Sequence, residues 1–397
     1  MIKQNASFLL LTLLYAVDPF NIGFVFGYLL LVLIILDFKN SKKYLDNFSL
    51  LLLVFSAIYS VFYAFNPGLG SQFILIYLLI PITFYIVGKR LYNDSSKSIQ
   101  KFKILFLIGI FLSIPSITSV WIDIFKVGYV TLNRNVPNIW TNRIENATNM
   151  AGPMVMNMGI LGILLIGYKK ISKKFLLLGM FVLFFLSLAC IIRLGSRTHI
   201  ALALFAIVVG VLYRFKKQNF KQNIGMFILL FILINLGFSY VSLSSDSDIL
   251  SSYAGRMESK THGANTAGGR TERWVKSLEY MFKEPLGWDL NEFGFAHNLW
   301  FDTLRVGGLL AFIFLLILTI RILSKMYTLY QIDKKINIVS GQLLIYIVCF
   351  LLLFFVEPIL EGYFTTFTIF CLILGYMNKH LEFLKNSSKT TQENTGI

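Results

Sequence analysis

Long apolar segments alternate with short polar connections along nearly the whole chain. Most of them approach or exceed the roughly 20 residues that a helix needs to cross a hydrocarbon core about 30 Å thick. Because they are continuously apolar and do not alternate with a period of two, they predict helices and not the strands of a membrane barrel. The pattern therefore predicts an all-α, polytopic transmembrane helix bundle. About twelve spans are expected from hydropathy, at residues 6–17, 20–36, 48–65, 73–88, 104–124, 150–168, 175–192, 198–213, 224–243, 299–323, 338–356 and 363–377.

Lysine and arginine are concentrated in every second connection, which indicates how the chain is oriented. These basic connections are 39–43, 89–103, 169–174, 214–221, 321–335 and the segment after residue 379. Since the cytoplasmic connections of membrane proteins carry the excess of Lys and Arg, both termini are expected in the cytoplasm. Residues 1–385 are expected to form one integral membrane domain, and 386–397 a disordered cytoplasmic tail.

The largest outer connection, residues 244–296, contains one segment with a helical pattern. Trp274, Leu278 and Phe282 recur at helical spacing, while charged residues occupy the other positions between Arg270 and Lys283. The sequence Glu-Pro-Leu-Gly that follows ends the pattern. This large extracytoplasmic loop is therefore expected to carry an amphipathic helix, lying on the outer membrane surface or on the ends of the spans.

Composition and charge exclude several classes of protein. The 397 residues are 56% hydrophobic and only 14% charged, with a formal net charge of +16. Because the basic residues lie in the connections between spans, we expect no nucleic-acid partner. The three cysteines lie in apolar segments without ligand spacing, so neither a metal site nor a disulfide framework follows from them. The apolar stretch 8–17 resembles a signal peptide, but Asp18-Pro19 replaces a cleavage site, so a retained first helix is expected.

Two arginines mark the start of the amphipathic helix, where backbone N–H groups have no intrahelical partner. A helix N-terminus with guanidinium groups is a good receptor for phosphate. Arg270 and Arg273 are therefore candidate phosphate ligands. The alternative is that both side chains extend to lipid headgroups.

A histidine begins the span that follows this loop. Histidine is the side chain whose ordinary pKa, about 6.5, suits a general base at neutral pH. His297 would meet both a membrane-bound donor and an acceptor in water, although a structural role at the helix start is also open. Asp302 and Arg305 follow at i, i+3 spacing and are expected to pair with each other.

A very short outer connection also carries arginines. Arg193 and Arg197 lie close to the hydrocarbon edge, where an unpartnered arginine is costly. An anionic ligand would satisfy them. Structural pairing with Glu357 or Glu361 is the competing explanation.

A set of short motifs lies in a fixed order between residues 193 and 310. They are Gly195-Ser196-Arg197, Gly269-Arg270 with Trp274, Glu284-Pro285-Leu286-Gly287, Ala296-His297-Asn298, Leu304 and Gly307-Gly308. Taken together, these motifs resemble the O-antigen polymerase and ligase superfamily, which includes capsule and exopolysaccharide polymerases. Hydropathy extends the resemblance to the whole chain.

The resemblance implies a metal-independent glycosyltransferase, without cofactor, on the outer face of the bacterial cytoplasmic membrane. Donor and acceptor would be oligosaccharides linked through pyrophosphate to undecaprenol, and a chain-length regulator and a flippase are the expected protein partners. Arg197 and Arg270 would stabilise the departing pyrophosphate, and His297 would remove the proton of the attacking hydroxyl. Further substrate contacts are expected from Arg193, Arg273, Asn298 and Trp274.

Two other functions compete with polymerisation. A ligase would use the same residues to transfer a finished glycan to a lipid or protein acceptor. A flippase or secondary transporter would also have many spans. Transporters usually place ionisable groups near the bilayer midplane, whereas the polar residues here are concentrated in outer loops, which favours chemistry at the outer surface.

Overall fold

The computed structural model describes residues 2–93, 98–129, 134–167, 171, 174–228, 235, 269–333 and 335–395. These residues are almost entirely helical, as the apolar pattern predicts. The long helices are α1 (Ile2–Val17), α2 (Gly23–Leu36), α3 (Asn47–Phe65), α4 (Gln72–Asn93), α5 (Ser98–Val127), α6 (Ala147–Gly167), α7 (Lys174–Arg193), α8 (Arg197–Phe215), α9 (Arg270–Lys283), α10 (Leu299–Ile332), α11 (Ile338–Val356) and α12 (Phe364–Thr395).

Short elements connect the long helices. They are the 3₁₀ turns Pro19–Asn21 and Lys42–Tyr44, the short helices Phe38–Ser41 and Ile359–Gly362, and a helical segment at residues 220–228. α6 contains a 3₁₀ turn at Gly152–Met154, between its first and second helical pieces. Two short strands, Val136–Pro137 and Ile144–Glu145, pair in antiparallel orientation.

Eight of the described helices, α3 to α8, α10 and α11, are long and apolar enough to cross a membrane. A ninth span is added if α2 and the following segment Phe38–Tyr44, bent by 91° against each other, are counted as one. These helices fit a multi-pass membrane protein.

The predicted number of about twelve spans is not confirmed. α1 is too short to count among the eight, and α2 is interrupted by the bend after Leu36. The predicted span at 224–243 lies mostly outside the described residues. The predicted span at 363–377 opens α12, which continues as a polar helix.

α12 continues without a break as far as Thr395, so it includes most of the segment 386–397 for which a disordered tail is expected. The segment follows a helix directly and has no proline. The disorder expected there stays a prediction.

The chain divides into two compact units. The first unit comprises Met1–Leu112, Gly269–Asp333 and Phe350–Ile397, and the second comprises Ser113–Gly268 and Lys334–Cys349.

In the first unit, α4 packs closely against α12 through two glycines. A Cβ atom added to Gly88 would lie 2.0 Å from the carbonyl oxygen of Leu372, and one added to Gly375 would lie 2.0 Å from that of Tyr85. Only glycine permits this approach of two backbones, which is typical of helix pairs in membranes. α3 packs against α4 and α10 in the same unit.

In the second unit, a polar cluster joins three helices. The side-chain amide of Asn157 in α6 donates to Ser113 Oγ of α5 at 2.8 Å and to Ser187 Oγ of α7 at 2.9 Å. α6 also packs against α8. Such buried hydrogen bonds satisfy polar groups that lipid could not.

Candidate functional site

The amphipathic helix begins and ends where the sequence predicts, at Arg270 and Lys283. Gly269 precedes it with a φ of 81°, a backbone conformation that glycine adopts without strain. Arg270 Nη2 lies 3.1 Å from Oε1 of Glu357, the residue that directly follows α11. The first residue of α9 is thus joined to the end of α11 by an ion pair within the first unit.

His297 lies beside the same carboxylate. Its Nδ1 is 3.9 Å from Glu357 Oε2, beyond hydrogen-bond distance. The side chains of His297 and Arg270 are 33% and 22% exposed, whereas that of Glu357 is 4% exposed. Two accessible cationic or basic groups therefore share one buried acid.

Asp302 fixes the backbone on both sides of His297. Its Oδ1 accepts from the N–H of Ala296 at 2.8 Å, and its Oδ2 accepts from the N–H of Asn298 at 3.0 Å. The residue between them, His297, has a φ of 53°. This left-handed conformation costs a non-glycine residue roughly 1–2 kcal/mol, and the two hydrogen bonds to one carboxylate hold the chain in it.

Three residues that were predicted to bind substrate also contact this loop. Arg273 donates to the carbonyl of Phe295 and the indole N–H of Trp274 to that of Ala296, both at 2.9 Å. Asn298 caps α10 by accepting from two backbone N–H groups, and its amide donates to the carbonyl of Phe355. In this structure Arg273, Trp274 and Asn298 position the backbone around His297.

Asp302 and Arg305 do not pair as the i, i+3 spacing predicts. Asp302 is engaged by the backbone, and Arg305 forms an ion pair with Glu361, between α11 and α12. Burial raises the pKa of Glu361 to about 7, and the neighbouring Arg305 opposes this shift. The spacing permits an ion pair between Asp302 and Arg305 on one helix, but Arg305 instead pairs with the carboxylate of Glu361 from another element.

The turn after α9 inserts into α10 beside this pair. Leu309 N–H donates to the carbonyl of Pro285 at 2.7 Å, and Trp288 N–H donates to that of Arg305 at 3.0 Å. The turn replaces helical hydrogen bonds at Gly308, whose φ of 63° and ψ of −173° are essentially restricted to glycine. A Cβ at Gly287 would lie 2.3 Å from the Arg305 carbonyl oxygen. Gly287 and Gly308, which belong to the motifs that carry the resemblance, thus permit this close contact.

The remaining predicted residues belong to the second unit. Arg193 is buried and forms an ion pair with Asp123 at 2.6 Å, while Glu357 and Glu361 pair with Arg270 and Arg305. A contact of Arg193 with substrate stays a prediction. Arg197 is the first residue of α8. Ser196 Oγ lies 2.9 Å from His199 Nδ1, and both side chains are buried.

Glu357 and Glu361 also belong to the site, although the sequence indicates them only as alternative partners of Arg193 and Arg197. A signal for them was available, since the connection between the last two predicted spans is very short and carries two acidic residues. Within the described residues, no group of three or more His, Cys, Asp or Glu side chains is arranged to hold a metal ion.

Comparison with known proteins assigns the chain to no family. No family model matches it, and no curated protein matches it significantly. The chemistry of the site therefore has to follow from its own side chains. Arg270 can bind an anion, and His297, beside a carboxylate, can accept a proton.

Proposed function

We propose that this protein polymerises oligosaccharide repeat units linked through pyrophosphate to a polyprenol, on the outer face of a bacterial cytoplasmic membrane. The hydroxyl oxygen of one lipid-linked unit attacks the anomeric carbon of another. The bond between that carbon and the phosphate oxygen breaks, and polyprenyl pyrophosphate leaves with the electron pair. The hydroxyl proton passes to a base on the protein.

The observation that carries the proposal is that Arg270 and His297 meet at one buried carboxylate, Glu357. A glycosyl transfer of this kind needs an electropositive group for the departing pyrophosphate and a base for the hydroxyl. The two side chains provide these functions next to each other, and both are accessible. Arg197, at the start of α8 in the second unit, is included as a further pyrophosphate ligand on the strength of the motif resemblance alone.

The expected magnitudes make the roles testable. Loss of one preorganised donor to a developing anion costs roughly 10² to 10³ in rate, and loss of a general base costs about 10² to 10⁴. Arg270→Ala and His297→Ala should therefore abolish detectable polymer. The matched control is Lys276→Ala on the same helix, since Lys276 is 45% exposed and, within the described residues, forms its ion pair with the exposed Glu272.

The test is incubation of the purified protein with one defined lipid-linked repeat unit, followed by analysis of product length. A ladder of products from the wild type and Lys276→Ala, absent from Arg270→Ala and His297→Ala, is the expected result. Transfer of a preformed long glycan to another acceptor, without a ladder, would identify a ligase. Movement of the lipid-linked unit across liposomes without any new glycosidic bond would identify a transporter.

A further inference from the structure

Glu357 contacts its two neighbours unequally. Its Oε1 is paired with Arg270 at 3.1 Å, while its Oε2 is 3.9 Å from His297 Nδ1. Among the described residues, both Glu357 Oε2 and His297 Nδ1 are buried and have no hydrogen-bond partner. One oxygen of the carboxylate and one nitrogen of the imidazole therefore face each other without a hydrogen bond between them.

The other carboxylates near α10 are already committed. Asp302 accepts two backbone hydrogen bonds, and Glu361 is paired with Arg305. Among the described acids of this group, Glu357 is the one with a buried oxygen that lacks a hydrogen-bond partner. Its backbone is restrained by Pro358, which directly follows it.

Both partners of Glu357 change during the proposed reaction, since Arg270 binds the diphosphate and His297 gains a positive charge. When the guanidinium of Arg270 turns to a diphosphate, the buried carboxylate loses its cation, and a buried charge without a partner is strongly unfavourable. For His297 to take the hydroxyl proton at Nε2, its Nδ1 must already carry the other ring proton, and this N–H faces Glu357 Oε2. The imidazolium that forms adds a positive charge beside that oxygen. Closing 3.9 Å to hydrogen-bond distance takes only a small side-chain movement.

We propose that Glu357 is a positioning residue that exchanges partners, pairing with Arg270 before a diphosphate binds and with protonated His297 once the diphosphate has engaged Arg270. This inference rests on the proposed function for its second step. Its first step, competition between Glu357 and a diphosphate for Arg270, is independent of any sugar chemistry.

The first experiment measures binding of inorganic pyrophosphate to the purified protein by calorimetry at fixed ionic strength. Glu357→Gln removes the competing negative charge, so its affinity should rise about tenfold over the wild type, the equivalent of about 1.4 kcal/mol. Arg270→Ala, alone or combined with Glu357→Gln, should lose the binding. The matched control is Glu382→Gln, an acid of α12 that pairs with Lys89 outside the site, which should leave the affinity unchanged.

Several outcomes would overturn the exchange. These are equal or weaker binding by Glu357→Gln, binding that persists in Arg270→Ala, or no binding by either the wild type or Glu357→Gln. If Glu357→Gln is not recovered as folded protein, Glu357→Asp takes its place. The shorter carboxylate is drawn away from Arg270, so affinity should rise by a smaller factor, and an unchanged affinity contradicts the proposal.

The second experiment uses the polymerisation assay. Glu357→Gln should lower kcat by about 10- to 100-fold, because the imidazolium of His297 loses its counterion. It should also lower KM for the donor, because Arg270 binds the diphosphate without competition. A purely structural role would instead weaken binding and rate together. If the wild type forms no polymer, the proposed function fails, while the pyrophosphate measurements still decide whether Glu357 competes for Arg270.

Discussion

Two ionic clusters in the first unit have similar composition and differ in how completely their groups are paired. The Lys89 cluster consists of Asp46, Tyr85, Lys89, Lys325, Asn378 and Glu382, and the His297 cluster of Arg270, His297, Asp302, Arg305, Glu357 and Glu361. α10 contributes residues to both clusters. On this helix Lys325 follows Arg305 by about 20 residues, or about 30 Å. The two clusters therefore lie toward opposite ends of the same helix.

The Lys89 cluster is fully connected. Lys89 is 2% exposed and pairs with Asp46 at 2.7 Å and with Glu382 at 2.9 Å. Asp46 also accepts from the hydroxyl of Tyr85, which in turn accepts from the amide of Asn378. Among the described residues, no buried polar side-chain atom of this cluster lacks a hydrogen-bond partner. Such a network stabilises one arrangement of the helices.

The His297 cluster is incompletely paired and strained. Within the described part of the chain, His297 Nδ1, Glu357 Oε2 and Arg305 Nε are buried without a hydrogen-bond partner. His297 has a positive φ, and Gly308 interrupts the helix that carries Asp302 and Arg305. Strain and unsatisfied groups that the surrounding structure maintains are typical of functional sites. This difference favours a structural role for the Lys89 cluster and supports the proposed chemistry at the His297 cluster.

The largest expected effect on stability is in the Lys89 cluster. Lys89→Ala leaves Asp46 and Glu382 without their common cation and should lower the free energy of unfolding by about 2–3 kcal/mol. This is less than the roughly 3–5 kcal/mol for a fully buried pair, because both acids are partly exposed. Thermal unfolding in detergent measures it. A larger loss from Arg270→Ala than from Lys89→Ala would reverse the comparison.

Asp302→Asn should give the next largest effect. An amide provides one acceptor where the carboxylate provides two, so one backbone N–H beside His297 loses its partner, at a cost of about 1–3 kcal/mol. Polymerisation should fall as well, because the loop that carries His297 is no longer fixed. The control is Glu279→Gln, an exposed acid on α9, which should change stability by less than about 0.5 kcal/mol. If Asp302→Asn behaves like this control, Asp302 does not hold the loop.

Much of the helical framework of the site could be predicted from the sequence. The apolar repeat and the Glu-Pro-Leu-Gly sequence that ends it predict both ends of α9, because helix amphipathicity and termination are local properties. Arg270 and His297 could likewise be identified as candidates from their positions at helix starts.

The pairing of the charged groups could not be predicted in the same way. Arg305 pairs with Glu361 and Arg193 with Asp123, each partner lying many residues away in sequence. Spacing along one helix states which pairs are geometrically allowed, and the packing of other helices decides which pair forms. For the same reason the sequence did not assign Arg273 and Trp274 to backbone carbonyls.

Glu361 provides a pH-dependent distinction between the clusters. Burial raises its pKa to about 7 from an ordinary value of about 4.5, so the folded protein favours the protonated form. The stabilisation is therefore fully present below the ordinary value and is lost as pH rises through 7. Between pH 6 and pH 8 the free energy of unfolding should fall by about 1 to 1.5 kcal/mol. Glu361→Gln should remove this part of the pH dependence in thermal unfolding, and an unchanged pH profile would contradict the raised pKa.

The smallest effect tests whether the strain at His297 is real. His297→Gly and His297→Ala both remove the imidazole, and both should be inactive in polymerisation. They differ in that alanine keeps a Cβ at a φ of 53°, whereas glycine adopts this conformation without a steric penalty. His297→Gly should therefore unfold at the higher temperature. Its free energy of unfolding should exceed that of His297→Ala by about 1 kcal/mol, after the greater unfolded-state entropy of glycine is deducted. Equal stability of the two variants would mean that the backbone at His297 relaxes, and the His297 cluster would then differ from the Lys89 cluster only in its unpaired atoms.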